Sequence, residues 1–208
     1  MPEPGLKAKF LVWGGLIVIL LGVVGAFFLA PARVPPPPVY GEVPDFSLSD
    51  QDGRMVSLAD WRGQICVVDL IFTRCAGQCL LMEATLQKLQ AVLPASPPVR
   101  LVSLTSDPAY DTPAVLKKYG GRWGAREGVW TFLTGPKKAM QQLAVEGLKL
   151  SMTDKKPSEQ DSPTDLVIHS TKLVLIDQHG RIRGYYDGET SDCIPPLLAA
   201  IQRLGREN

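Results

Sequence analysis

Residues 65–79 read ICVVDLIFTRCAGQC, and the fold is decided in this stretch. Ile65 to Phe72 is β-branched and almost wholly apolar, as expected of a central strand buried on both faces. A short turn follows. Beyond it LLMEATLQKLQAVL carries apolar residues at Leu81, Leu86, Leu89 and Val92, a helical spacing that ends before Pro94. Cys75 and Cys79 therefore sit where a strand passes into a helix.

The same alternation continues downstream. Val99 to Leu104 reads as a second inner strand, and SDPAYDTPAVLKKYGG as a turn and short helix with Asp111 or Thr112 as cap and Pro113 in the first turn. Val129 to Leu133 is a shorter strand, and GPKKAMQQLAVEGL a further helix. Residues 150–165 are polar and aperiodic, which predicts a mobile loop. HSTKLVLIDQHGRIRGYYDG predicts two strands around the turn DQHG, and Asp192 can cap a last helix with Pro195 and Pro196 in its first turn. Strands alternating with helices predict an α/β domain over residues 45–208.

Upstream, residues 10–30 (FLVWGGLIVILLGVVGAFFLA) form a run of 21 without a charge, which predicts one N-terminal transmembrane helix, since about 20 apolar residues cross the hydrocarbon core. Lys7 and Lys9 precede it, so the positive-inside rule puts residues 1–9 in the cytoplasm and the soluble domain in the periplasm or another extracytoplasmic space. A cleaved signal peptide fits less well, because the apolar run is long and Pro31 follows Ala30. Residues 31–44 (PARVPPPPVYGEVP) predict a semi-rigid proline-rich linker.

With 22 Lys and Arg against 21 Asp and Glu, a net charge of +1 and no basic run, nucleic acid is not an expected partner. Four cysteines and two histidines suit one small site better than a disulfide scaffold or a zinc ribbon.

Cys75 and Cys79 lie four apart at a helix start, where free N–H groups and the dipole stabilise thiolates, so both thiols are expected to be acidic. Within one helical turn their side chains share a face at a spacing a metal ion can bridge. A disulfide requires closer Cβ atoms and places Cys75 in the turn before the helix, which Gly77 permits. Two thiolates suit Cu(I), zinc or an iron–sulfur cluster, and a third ligand must choose. His179, beside Gly180, reads as an exposed turn residue. His169 stands before the strand STKLVLID, opposite the cysteine turn in folds of the thioredoxin type, and completes a Cys2His set suited to Cu(I) and tolerant of Cu(II). Cys66 reads as a buried, inert thiol. Cys193 is open between a spare thiol, a partner for Cys66 and a resolving cysteine.

Taken together, VVDLIFTRCAGQC, TSDPAYDTPAVLKKYG, TFLTG (Thr131 to Gly135) and VIHSTKLVLIDQHGRIRGYYDG resemble the Sco/SenC copper proteins, which assist assembly of the dinuclear copper centre of cytochrome c oxidase. The resemblance implies a thioredoxin-like fold with a central mixed sheet flanked by helices, copper bound by Cys75, Cys79 and His169, and membrane anchoring. It also implies a partner in the copper-bearing subunit of a membrane cytochrome oxidase. Where the family commonly has proline after each cysteine, this chain has Ala76 and Leu80. Asp107 matches an acidic family position, with a supporting, capping or turn-forming role expected.

The leading expectation is a copper chaperone that passes the ion on by ligand exchange. The alternative is a thiol-disulfide reductase for a cuproprotein's cysteines, with Cys75 attacking and Cys79 resolving. A peroxiredoxin reading fails on spacing, because Thr73 lies two residues before Cys75 where three are needed. Thioredoxin itself fails on the CxxxC spacing.

Overall fold

The computed structural model describes residues 13–22, 35–75, 77–156, 158, 160 and 167–207. In chain order these form α1 (residues 13–22), β1 (Gly41–Glu42), β2 (Ser47–Asp50), β3 (Met55–Ser57), α2 (Leu58–Trp61), β4 (Ile65–Ile71), α3 (Gln78–Val92) and β5 (Val99–Thr105). There follow α4 (Pro113–Arg122), β6 (Trp130–Thr134), α5 (Lys137–Gln141) running into a π-helical turn (Gln142–Gly147), β7 (Met152–Asp154), β8 (Val167–His169), β9 (Lys172–Ile176), β10 (Arg181–Asp187) and α6 (Ile194–Leu204).

The chain divides into two compact units, Met1–Pro35 and Pro36–Asn208. In the first, the expected membrane span over residues 10–30 is corrected. Among the described residues no helix is long and apolar enough to cross a membrane. The ten residues of α1 rise about 15 Å, roughly half the hydrocarbon thickness. The flanks 10–12 and 23–30 lie outside the described residues. The single-pass localisation, with a cytoplasmic N-terminus and a periplasmic domain, rested on that helix and is withdrawn with it.

The second unit is built on β4, whose seven residues are all buried. β5 lies parallel on one side and β9 antiparallel on the other, and the eight-stranded order is β1-β10-β9-β4-β5-β6-β2-β3. The sheet is mixed because α3 and α4 return the chain for the parallel pairs β4–β5 and β5–β6, whereas the tight turn after β9 makes β10 antiparallel. In that turn Asp177 Oδ1 accepts the backbone N–H of His179 and Arg181, and Gly180 takes the left-handed φ of 81° that a side chain disfavours. Alternation along β4 sends Cys66, Val68 and Leu70 to the core beneath α2, α5 and the π-turn. Ile65, Val67 and Ile71 face the core under α3, α4 and α6.

Arg183, 3% exposed, closes the β10 side. Its Nη1 donates to Asp177 Oδ2 (2.7 Å) and Glu207 Oε2 (2.8 Å), its Nη2 to Glu207 Oε1 (2.9 Å), and both Nη2 and Nε to the Pro37 carbonyl. One guanidinium thus joins the start of this unit, the β9–β10 turn and the C-terminal tail.

Two expectations change in detail. The helix after the cysteines starts at Gln78, three residues before the apolar spacing suggested. Part of the expected 150–165 loop is a strand: β7 pairs antiparallel with β8 in a separate two-stranded sheet, Met152 opposite His169. Residues 161–166 lie outside the described residues.

Candidate functional site

The turn between β4 and α3 is fixed by a buried acid. Asp111 accepts the backbone N–H and hydroxyl of Thr73 and the hydroxyl of Thr105, and the Thr105 oxygen accepts the Asp107 backbone N–H. Burial raises the Asp111 carboxyl above its usual range, against the pull of these donors. Asp107 has two roles: its carbonyl accepts Tyr110 and Asp111 N–H groups in a turn, and its carboxylate accepts from Arg74 Nη2 at 2.5 Å. The Arg74 guanidinium also lies over the Tyr110 ring, 4.2 Å from its centre.

On this base Cys75 lies in the turn, half-buried, its N–H donating to the Phe72 carbonyl at 3.1 Å. Cys79 is fully buried in the first turn of α3, whose N-cap, Gly77, supplies no capping side chain. The terminal N–H groups are thus left for sulfur, and Gly77 N–H reaches Cys75 Sγ at 3.5 Å.

The two thiols are unequal. A hydrogen bond from the Cys79 thiol, with lesser ones from His169 and the Gly77 and Cys79 N–H groups, brings Cys75 down to about 4 despite its burial. The same bond, then burial, then the adjacent charge, raises Cys79 far above the ordinary thiol range. The expectation of two acidic thiols thus resolves into one thiolate and one thiol that shares its proton with it.

His169 ends β8. Its Nε2 is 3.0 Å from Cys79 Sγ across 90 positions of sequence, and its Nδ1 is 3.1 Å from the Ser170 carbonyl. A carbonyl can only accept, so Nδ1 donates there, and Nε2 is the ring nitrogen turned to the sulfurs. The Phe72 ring meets the imidazole edge-on at 5.7 Å. Among the described residues no group of three His, Cys, Asp or Glu side chains stands placed to hold a metal ion as it is. The Cys79–His169 pair is closed, and the third donor, Cys75, belongs to the turn and not to the helical face. As a donor set, one ready thiolate, one thiol and one imidazole suit a soft cation such as copper.

His179 is exposed in its turn, away from this cluster. All four cysteines are free. Cys66, pushed up to about 12 by burial, and Cys193 lie in the cores on opposite sheet faces, which rules out a bridge between them in this fold.

Three residues that the sequence reading passed over lie behind the thiols: Asp69 on β4, Glu83 on α3 and Tyr119 on α4. Neither carboxyl oxygen of Asp69 or Glu83, nor the Tyr119 hydroxyl, has a hydrogen-bond partner, and both acids are 0% exposed. Burial raises Asp69 to about 7, with Ser103 and His169 pulling partly the other way, and burial next to Asp69 holds Glu83 well above its usual range. The available signal was a single acid inside each apolar pattern, VVDLIF and LLMEATL.

A family model described as SCO1/SenC matches residues 37–204. The chain belongs to the SCO1/SenC family. A SCO1 protein homolog from Bacillus subtilis is 33% identical over 167 residues, covering 79% of this chain and 83% of that one. The structure of BsSco, described as a Sco-family cytochrome c oxidase assembly protein with a disulfide switch, is 28% identical with a TM-score of 0.71, over 85% of this chain and 99% of that one. Yeast Sco1 with copper bound shares the fold at a TM-score of 0.64 and 21% identity, over 78% and 89% of the two chains. This Sco fold is the thioredoxin-like α/β arrangement with a mixed sheet expected from the sequence.

Proposed function

We propose that this Sco protein binds copper through Cys75, Cys79 and His169 and serves cytochrome c oxidase assembly, passing the ion to the dinuclear centre of the oxidase's copper-bearing subunit. The reading is carried by the 3.0 Å approach of His169 Nε2 to Cys79 Sγ. A histidine packed only for stability has no need to meet a thiol next to a second thiol. Family membership and copper in the yeast relative support the same reading. Chemically, Cys75 already offers a thiolate, Cys79 becomes one on losing its shared proton, and His169 contributes Nε2 while Ser170 holds the other ring nitrogen. Such a set can release the ion stepwise to a competing donor set, Cys75 first, because it stands on a turn while the others stand on regular elements.

The unequal thiols also favour a second reading, a thiol-disulfide reductase. The Cys75 thiolate attacks a partner disulfide and expels one partner thiolate. Cys79, losing its proton, then attacks the Cys75 sulfur and releases the second. Titration of the full chain with Cu(I) and Cu(II) tests the first reading: one equivalent binds, with a thiolate-to-copper charge-transfer band. His169→Ala is expected to weaken copper binding at least tenfold and to leave exchange with a small disulfide largely intact, since the larger hydrogen bond to Cys75 comes from Cys79. Parental copper affinity in that variant removes His169 from the site and leaves the reductase.

A further inference from the structure

Asp69, Glu83 and Tyr119 share one layer. Cys79 and Glu83 are one helical turn apart on the buried side of α3, and Asp69 follows Ile65 and Val67 on the α3-facing side of β4. Tyr119 comes in from α4. Ser103, the register neighbour of Asp69 on β5, accepts Trp130 Nε1 at 3.0 Å. No hydrogen bond joins either carboxyl to Cys75, Cys79 or His169. The groups that act on the pair electrostatically are thus Cys79 from α3, Tyr119 from α4, Ser103 from β5 and His169 from β8.

Two carboxyls shut away from bulk solvent on facing elements cannot both be ionised at low cost, since bulk water does not reach them and each repels the other's charge. At least one proton therefore resides between them. An acid pair of this kind responds to any change of charge nearby, and the thiols are the nearest place where charge changes. Two thiolates and one imidazole nitrogen present the same ligand charge, −2, to either copper ion. Holding Cu(I) on two thiolates costs one proton and leaves −1. Holding Cu(II) costs the same proton and leaves zero, one unit more positive.

We propose that Asp69 and Glu83 are a proton-holding pair that compensates the charge of the thiol–imidazole site, keeping its proton when a singly charged cation is bound and releasing it when a doubly charged one is bound. This rests on the copper-binding reading. In balance, Cu(I) binding is Cu(I) + S⁻ + SH giving a dithiolate complex and one H⁺. Cu(II) binding adds COOH giving COO⁻ and a second H⁺. The pair thereby favours the higher charge as pH rises, and the preference of the site between the two ions becomes a function of proton concentration.

The test is calorimetry of the full chain at pH 6 with Cu(I), and separately Cu(II), in two buffers of different ionisation enthalpy, which counts protons released. A persisting charge-transfer band shows that the thiolates stay unoxidised. The parent is expected to release about one more proton per Cu(II) than per Cu(I). Asp69→Asn abolishes the difference with the band intact, and Asp69→Glu restores it. Independently of any variant, the infrared difference between Cu(II)- and Cu(I)-loaded parent shows loss of a protonated carboxyl band. Equal proton counts with an intact band, or an unchanged carboxyl band, overturn the role of the pair and leave copper binding standing. No heat and no band with either ion overturns the copper reading, and this inference with it.

Discussion

Two sets of charges are buried in this domain, and they are built in opposite ways. Around Arg183 every charge is answered: burial works against Asp177, yet backbone N–H groups of Arg181 and His179 and the Arg183 and Arg181 guanidinium groups outweigh it and lower its pKa. Around Asp69 nothing is answered, and two carboxyls sit in an apolar layer with four unpaired oxygens. The first arrangement ties three distant segments together and belongs to stability. The second costs stability, and it shares the buried side of α3 with Cys79, as expected of a pair that serves a site.

The contrast is broken or sharpened by substitution. Arg183→Met should have the largest effect, a loss of about 3 kcal/mol or more by urea denaturation, because it removes a buried guanidinium from Asp177, Glu207 and the Pro37 carbonyl at once and leaves that carbonyl unanswered by it. A loss below about 1 kcal/mol would make the cluster ornamental. Asp69→Asn should move stability the other way. The unfolded Asp69 ionises near ~4 and the folded one at about 7, so the folded state holds the extra proton between those values. Its destabilising contribution accordingly grows as pH rises from ~4 to 7 and is constant above. The variant should gain on the order of 1–3 kcal/mol at pH 7 and nothing near pH 4, as followed by thermal unfolding across pH. A pH-independent difference would mean that Asp69 is not the group titrating. Smallest is Glu207→Gln, about 1 kcal/mol, since Arg183 keeps Asp177 and the Pro37 carbonyl.

Legibility in the sequence followed how local the determining interaction is. β4, β5 and β9 were readable because each is a largely apolar run closed by a turn, and β10 followed from the 177–180 turn, which names itself through Asp177 and Gly180. β1 to β3 and α2 escaped because they are too short to show a period, and β1 and β2 pair with strands far along the chain. β7 and β8 escaped because they are three residues each, so His169 was placed before a strand when it lies in one. The cysteine turn was visible, but the inequality of its thiols was not: it depends on who donates to whom in three dimensions. Asp69 and Glu83 were masked by the apolar periodicity around them. The N-terminal run shows the opposite error, since apolar length predicted a span where α1 is ten residues long.

The sulfurs and the imidazole belong to different parts of the architecture: Cys79 is rooted in α3 against the main sheet, whereas His169 rides on the β7–β8 arm, which hydrogen-bonds to neither edge of that sheet. On the copper-binding reading, the length and register of that arm set the grip of the nitrogen apart from the cysteine turn, and Met152, which packs into the main core, is the point where the arm is fastened. Under that same reading, relatives with identical cysteine turns are expected to differ in how readily they let go of an ion where their arms differ.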